Sequence, residues 1–245
     1  MKVDAGIQRQ LLDLADADAE LARLDHRRTH LPEDAELAGL DERVEAARND
    51  LVRAEISAED LTREYRRIDS EVTGMASREA KDSALLTAGG LAPKALSELQ
   101  HELTGLARRR SGLEDDLLGV MEQQEAVTAE QQRAAATIEH LNGEVEKTRE
   151  RRTGVLSEID SDQSRAAQRR ETLAAEIPAD LLAIYDRQRA SGRIGAGLLR
   201  ARRCGACRME LDRGTIAAIA AKTSDEVVRC EECGAILVRT VESGL

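Results

Sequence analysis

The chain has 245 residues, 34 % of them charged, with no Trp or Phe and only Tyr65 and Tyr185 as aromatics. Such a composition excludes a thick aromatic core and suits long helices held along narrow seams. The net charge of −11 is uneven, +3 over residues 181–245 and −14 before them; no run of about 18 apolar residues is present that would span a membrane.

Met1 to Gln10 lacks the apolar stretch and cleavage pattern of a secretory signal, so a cytoplasmic protein is expected. From Ile7, the residues Leu11, Leu14, Leu21, Leu24 and Leu31 form a helical stripe that Pro32 interrupts. Pro32-Glu33-Asp34 restarts a helix well, because proline suits a first turn and acidic side chains favour the positive end of the dipole. A kink is expected there. Leu37, Val44, Leu51, Ala58, Tyr65 and Val72 then recur every seven residues, with Leu40, Ala47, Ala54, Leu61, Ile68 and Met75 at the complementary offset. That is a heptad seam.

Gly89-Gly90-Leu91-Ala92-Pro93 is the strongest breaker before residue 178 and predicts a reversal of the chain near 87–93. After it the seam resumes from Leu96 and Leu99 through Leu141, Val145 and Ile159 to Leu173. Each predicted arm has 85 residues, on the order of 120 Å of helix, and a stripe that long needs a partner. Residues 1–178 are therefore read as an antiparallel coiled-coil hairpin. Polar seam positions such as Arg110, Gln131 and Arg152 are read as setting register and snorkelling to water. Gly105, Gly112 and Gly119 are read as tolerated outer-face positions, and Leu85 and Leu86 as closing the turn. The turn lacks the paired acidic residues of transcript-cleavage factors that reach into RNA polymerase.

Ile177-Pro178 ends the second arm, and residues 179–197 are read as a short helix followed by a flexible glycine-rich joint, Ser191 to Gly197. Residues 198–245 hold all four cysteines, as Cys204-Gly205-Ala206-Cys207 and Cys230-Glu231-Glu232-Cys233. Two C-x-x-C knuckles separated by 22 residues are the ligand pattern of a four-thiolate zinc site, since each knuckle aims two sulfurs at one point. Disulfides suit secreted chains, and a redox C-x-x-C sits in a βαβ context; neither setting is present. One structural Zn²⁺ is expected on Cys204, Cys207, Cys230 and Cys233, with Gly205 and Gly234 supplying positive φ. Short strands around Met209, Val228 and Ile236 to Val238, and a helix or loop over Thr215 to Ala221, complete the predicted ribbon.

These features, in this order, resemble a bacterial family that joins a long coiled-coil hairpin to a C-terminal C4-type zinc ribbon. The resemblance rests on Leu96-Ser97-Glu98-Leu99-Gln100-His101-Glu102-Leu103, on Leu113 to Leu118 with Met121-Glu122, on Leu181 to Arg187, and on Cys230 to Leu237. It implies a mainly α fold with a small β ribbon, zinc on the four cysteines, and no catalytic residues. It further implies an adaptor or chaperone role with a transcription- or RNA-related protein partner: relatives include a flagellar-biogenesis chaperone for the sigma-54 factor that also binds messenger RNA.

Two binding chemistries follow from the residues. Arg187, Arg189, Arg193, Arg200, Arg202, Arg203, Arg208 and Arg213 give a local net of +6 between residues 187 and 213, a candidate grip on nucleic-acid phosphates. The ribbon has no aromatic side chain on which a single strand would stack, and the alternative is a solvated Arg-rich hinge that pairs with the acidic helices. Protein binding is the other chemistry, since a long rigid arm serves to span, hold or present. A metal-dependent enzyme is the remote third reading, because no P-loop, G-x-S-x-G or H-E-x-x-H is present and a four-thiolate zinc has no open position. The expectation is a non-enzymatic binding protein.

Overall fold

The computed structural model describes residues 1–245. They form two compact units: Met1–Asp34 together with Arg151–Leu245, and Ala35–Glu150. This division differs from that read in the sequence, which kept residues 1–178 together and set the ribbon apart.

Helix α1 (Ala5–Thr29) starts at Asp4, whose carboxylate accepts from the Gly6 N–H, and carries His26, Arg27 and Arg28 in its last turn. It ends because His30 leaves helical geometry (φ −134°, ψ 57°) and because Leu31 precedes a proline, which disfavours the helical region. The expected kink is thus a full break, and the boundary between units falls two residues after Pro32. Helix α2 (Pro32–Ala88) has Glu33 and Asp34 in its first turn. It stops where Gly89 and Gly90 take φ of 72° and 84°, a conformation that other residues reach only with strain. Helix α3 (Pro93–Ala175) opens on its own proline.

In the unit of residues 35–150, α2 and α3 form an antiparallel hairpin. Leu40, Val44 and Ala47 pack against Leu141 and Val145, the heptad positions named above. The polar seam residues work across the arms: Arg110 bonds Glu79 at 3.0 Å, and Gln131 reaches the Ala54 carbonyl at 3.5 Å. Nothing lies within 4 Å of where a Cβ on Gly105, Gly112 or Gly119 would stand, so these are open surface positions. At the turn, Leu86 is half-buried while Leu85 stays exposed, which corrects the reading that both close it. Successive residues of a helix point about 100° apart, so only one of the two faces the other arm.

In the other unit, helix α4 (Ala179–Ala190) follows Pro178 and buries Leu181, Tyr185 and Gln188 on one face. Strand β1 (Ala196–Arg200) runs parallel to β4 (Ile236–Val238); β2 (Arg203–Cys204) and β3 (Val228–Arg229) flank them antiparallel, in the order β2-β1-β4-β3. The N-terminus extends this sheet. Val3 donates to the Asp225 carbonyl at 2.6 Å and Val227 to that of Met1 at 3.0 Å, with Lys2 opposite Glu226. Leu11 and Leu14 of α1, Leu181 and Tyr185 of α4, and Ala196, Ile236 and Val238 of the sheet share one core. The ribbon is therefore packed onto helices rather than hung from them.

The expected flexible joint is part of that packing. A Cβ on Gly195 would stand 2.5 Å from the Tyr185 ring, and one on Gly197 would stand 2.5 Å from the Ala206 nitrogen. Glycine is needed here for close approach, and the sequence alone does not separate that use from flexibility.

Candidate metal centre and its surroundings

The two knuckles are the same turn used twice. Arg208 N–H donates to the Cys204 carbonyl at 2.7 Å, and Gly234 N–H donates to that of Cys230 at 2.9 Å. In each, the residue after the second cysteine has positive φ: 81° at Gly234 and 63° at Arg208. The expectation placed this role on Gly205, and the structure corrects it. Gly205 instead donates to the Leu198 carbonyl at 2.8 Å, and a Cβ there would lie 2.6 Å from that oxygen. Its service is again close approach, this time of the first knuckle to β1.

All four Sγ atoms lie within 4.8 Å of one another, and none is bridged. Cys204 and Cys233 are 3.8 Å apart, as against 3.9 Å for Cys207 and Cys230. A tetrahedral zinc with bonds of about 2.3 Å requires sulfurs about 3.8 Å apart, so the donor set fits the ion. Burial pushes the Cys204 thiol up to about 12, against N–H groups of Cys207 and Ala206 that favour its thiolate. Burial also raises Cys233, opposed by the Ala235 N–H. At Cys207 burial acts upward too, but the Met209 N–H and the three neighbouring sulfurs hold it below the ordinary thiol value. These N–H groups stabilise thiolates once metal displaces the protons.

Leu199, Leu211, Ile219, Val228 and Leu237 pack around Cys204 and Cys230. Helix α5 (Arg213–Ala220) spans the loop between knuckles, its first turn capped by the Asp212 carboxylate bonding the N–H groups of Gly214 and Thr215. Arg239 fastens the far end, donating to the carbonyls of Ile219, Lys222, Thr223 and Glu226. Four-thiolate zinc in this setting is closed to substrate and serves folding.

The helices meet the centre directly. Gln188 Nε2 donates to the Cys233 carbonyl, and its side chain crowds Gly234. Behind it, the Tyr185 hydroxyl donates to Asp18 at 2.8 Å; Asp18 also receives Arg170 at 2.8 Å and Arg189 at 3.1 Å. Burial, then the bond to Asp18, raises the Tyr185 pKa well above the ordinary phenol value. None of these residues was singled out for such a role from sequence, yet Asp18 had a signal. The stripe Leu11, Leu14, Leu21 skips a place at 18, and an acidic residue in a core position marks a buried network. Arg239 had none.

The eight candidate arginines separate into two groups. Arg189 pairs with Asp18, Arg200 with Glu242 at 3.3 Å, and Arg202 and Arg203 share Glu210 at 3.3 and 3.6 Å. Arg187, Arg193, Arg208 and Arg213 are exposed, without a carboxylate within 4.0 Å. Beside Arg193 runs a groove of about 610 Å³, walled by Leu12, Ala15 and Ala19 on α1 and by Ile194, Gly195 and Leu198 on the ribbon.

A family model described as the CT398-like coiled coil hairpin domain matches residues 14–193, and one described as the C4-type zinc ribbon domain matches residues 203–237. The chain belongs to the CT398-like coiled-coil hairpin family. An uncharacterized protein of Mycobacterium tuberculosis is 42 % identical over 239 residues, 98 % of each chain, and one of Mycobacterium leprae is 35 % identical over 223 residues, 89 % of this chain and 94 % of its own. A solved structure from Mycobacterium smegmatis is 40 % identical, with a TM-score of 0.82 over 98 % of this chain and all of that one. CT398 from Chlamydia trachomatis, 19 % identical, shares the fold with a TM-score of 0.62 over 96 % of this chain and 98 % of its own. In this member of the CT398-like family the hairpin model runs through α4 and stops at Arg193, just before β1.

Proposed function

We propose that the chain is a non-enzymatic adaptor that seats a protein partner on its zinc-ribbon unit. The observation that carries this reading is the groove between α1 and the ribbon. Its walls are mostly alanine, glycine, Leu and Ile, with Asp16, Arg189 and Arg193 among them; its volume of about 610 Å³ lies in the range of binding clefts, and Asp18 within it already pairs with arginines. Small side chains on both walls let a partner's backbone come close, as when a helix lies in a groove. Zinc supplies the rigidity, since the ribbon wall is one strand away from the first knuckle.

Nucleic acid is the second reading, favoured by Arg187, Arg193, Arg208 and Arg213, whose guanidinium groups remain available to phosphate. Against it, half of the eight arginines are engaged by carboxylates. The test is capture from cytosol on immobilised wild type and on Ala19→Arg, each with and without nuclease. Adaptor function predicts protein partners that survive nuclease and are lost with Ala19→Arg. Partners that vanish on nuclease, with an RNA or DNA whose retention falls steeply with salt, would replace this reading with the second.

A further inference from the structure

A four-thiolate site closes the metal to substrate, but it does not close the sulfurs, and here two of the four face outward. Cys204 and Cys230 are buried under Leu199, Leu211, Ile219, Val228 and Leu237. Cys207 and Cys233, one from each knuckle, are half-buried, and both line a pocket of about 300 Å³. Its other walls are Gly192, Arg193, Ile194 and Ala206. Arg193 has no carboxylate within 4.0 Å, so no acid of the chain neutralises the positive charge on this wall. Sulfur is the nucleophilic atom of a metal-bound thiolate, and an accessible thiolate beside a cation is the setting in which cysteine is oxidised.

We propose that this pocket is an oxidation site, where a hydroperoxide joins Cys207 to Cys233 and thereby releases the zinc. One thiolate attacks the outer oxygen of the peroxide: the O–O bond breaks, an S–O bond forms, and the departing oxide takes a proton from water. The second thiolate attacks the resulting sulfenic sulfur, forming the S–S bond and expelling hydroxide. The two thiolates together lose two electrons, and the hydroperoxide is reduced to an alcohol, or to water when it is hydrogen peroxide. Arg193 assists the first step, because a cation on the pocket wall favours the charge that moves onto the departing oxygen. Access rather than separation selects the pair: all four sulfurs lie within 4.8 Å of one another, but only Cys207 and Cys233 line the pocket. With half of its ligands bonded to each other the zinc is no longer held, and its loss loosens the ribbon that it folds. This chemistry does not depend on a partner in the groove beside α1.

The test adds hydrogen peroxide to the full zinc-loaded chain, follows zinc release with a chromogenic chelator, and maps disulfides and methionine sulfoxide by mass spectrometry. The expected result is zinc release in step with a disulfide between Cys207 and Cys233, before Met209, an exposed methionine of the same ribbon, is oxidised. Dithiothreitol with added zinc should restore the thiols and the bound metal. Arg193→Ala should slow the release roughly tenfold. Arg187→Ala, which removes an exposed arginine outside the pocket, should leave the rate unchanged. A first disulfide containing Cys204 or Cys230, zinc retained until Met209 is oxidised, or equal rates for Arg193→Ala and Arg187→Ala would each overturn the proposal.

Discussion

Replacing Asp18 with Ala should destabilise the ribbon-bearing unit far more than any surface change. Its carboxylate is 9 % exposed and accepts three donors: the Tyr185 hydroxyl, Arg170 and Arg189. Removing one partner of a buried pair costs about 3–5 kcal/mol, because the remaining charge is left without compensation. The lower end applies, since Arg170 keeps Asp186 at 2.8 Å and Arg189 is exposed enough to turn to water. The stranded Tyr185 hydroxyl adds about 1–2 kcal/mol. The sum is roughly 4–5 kcal/mol, a third or more of the stability of an ordinary domain. Tyr185→Phe alone removes only a donor and should cost about 1 kcal/mol. In the double variant the phenyl ring has no hydroxyl to strand, so it should be no less stable than Asp18→Ala alone. Guanidinium unfolding of the zinc-loaded chain, followed by hydrogen exchange in α1 and α4, measures all three. A cost for Asp18→Ala below about 1 kcal/mol, the range of exposed ion pairs, would refute the coupled network.

Other expectations concern single backbone and side-chain positions. Ala201 and Arg202 hold φ of 45° and 64° in the two-residue turn joining β1 to β2, so Ala201→Gly should stabilise the ribbon by about 1 kcal/mol in thermal unfolding. Gly195→Ala should cost about 1–3 kcal/mol by forcing the Tyr185 ring aside, visible as a lowered melting temperature at full zinc occupancy. Alkaline titration should lower the stability of the ribbon-bearing unit. Because Tyr185 has a raised folded pKa, its contribution is complete below the unfolded phenol value of about 10 and is lost as pH rises through the folded value. Tyr185→Phe should remove that alkaline step; a step unchanged by the substitution would contradict the assignment.

The elements that repeat were readable in the sequence, because periodicity reports burial directly. Leu40, Val44, Leu141 and Val145 sit where the heptads put them, and the four cysteines meet because spacing dictates a common focus. What was misread turned on residues with more than one use. Gly195, Gly197 and Gly205 read as loose or left-handed backbone, yet each is a place where another group comes too near for a Cβ. Arg208 takes the left-handed position that composition assigns to glycine. The joining of Met1 to Val3 with the sheet edge at Asp225 to Val227 depends on residues more than 200 positions apart with no pattern between them. Asp18 was legible only as a gap in a stripe.

The central structural claim is that zinc organises the helical base and the ribbon as one unit, with the partner groove between them. The direct measurement is hydrogen exchange of the full chain before and after zinc removal by a chelator. Because Gln188 holds the Cys233 carbonyl and β4 shares a core with α1 and α4, protection is expected to fall together in residues 1–29 and 179–245, while residues 35–150 keep theirs. Loss confined to residues 198–245, with α1 and α4 unchanged, would contradict the account and restore the ribbon as an independent domain.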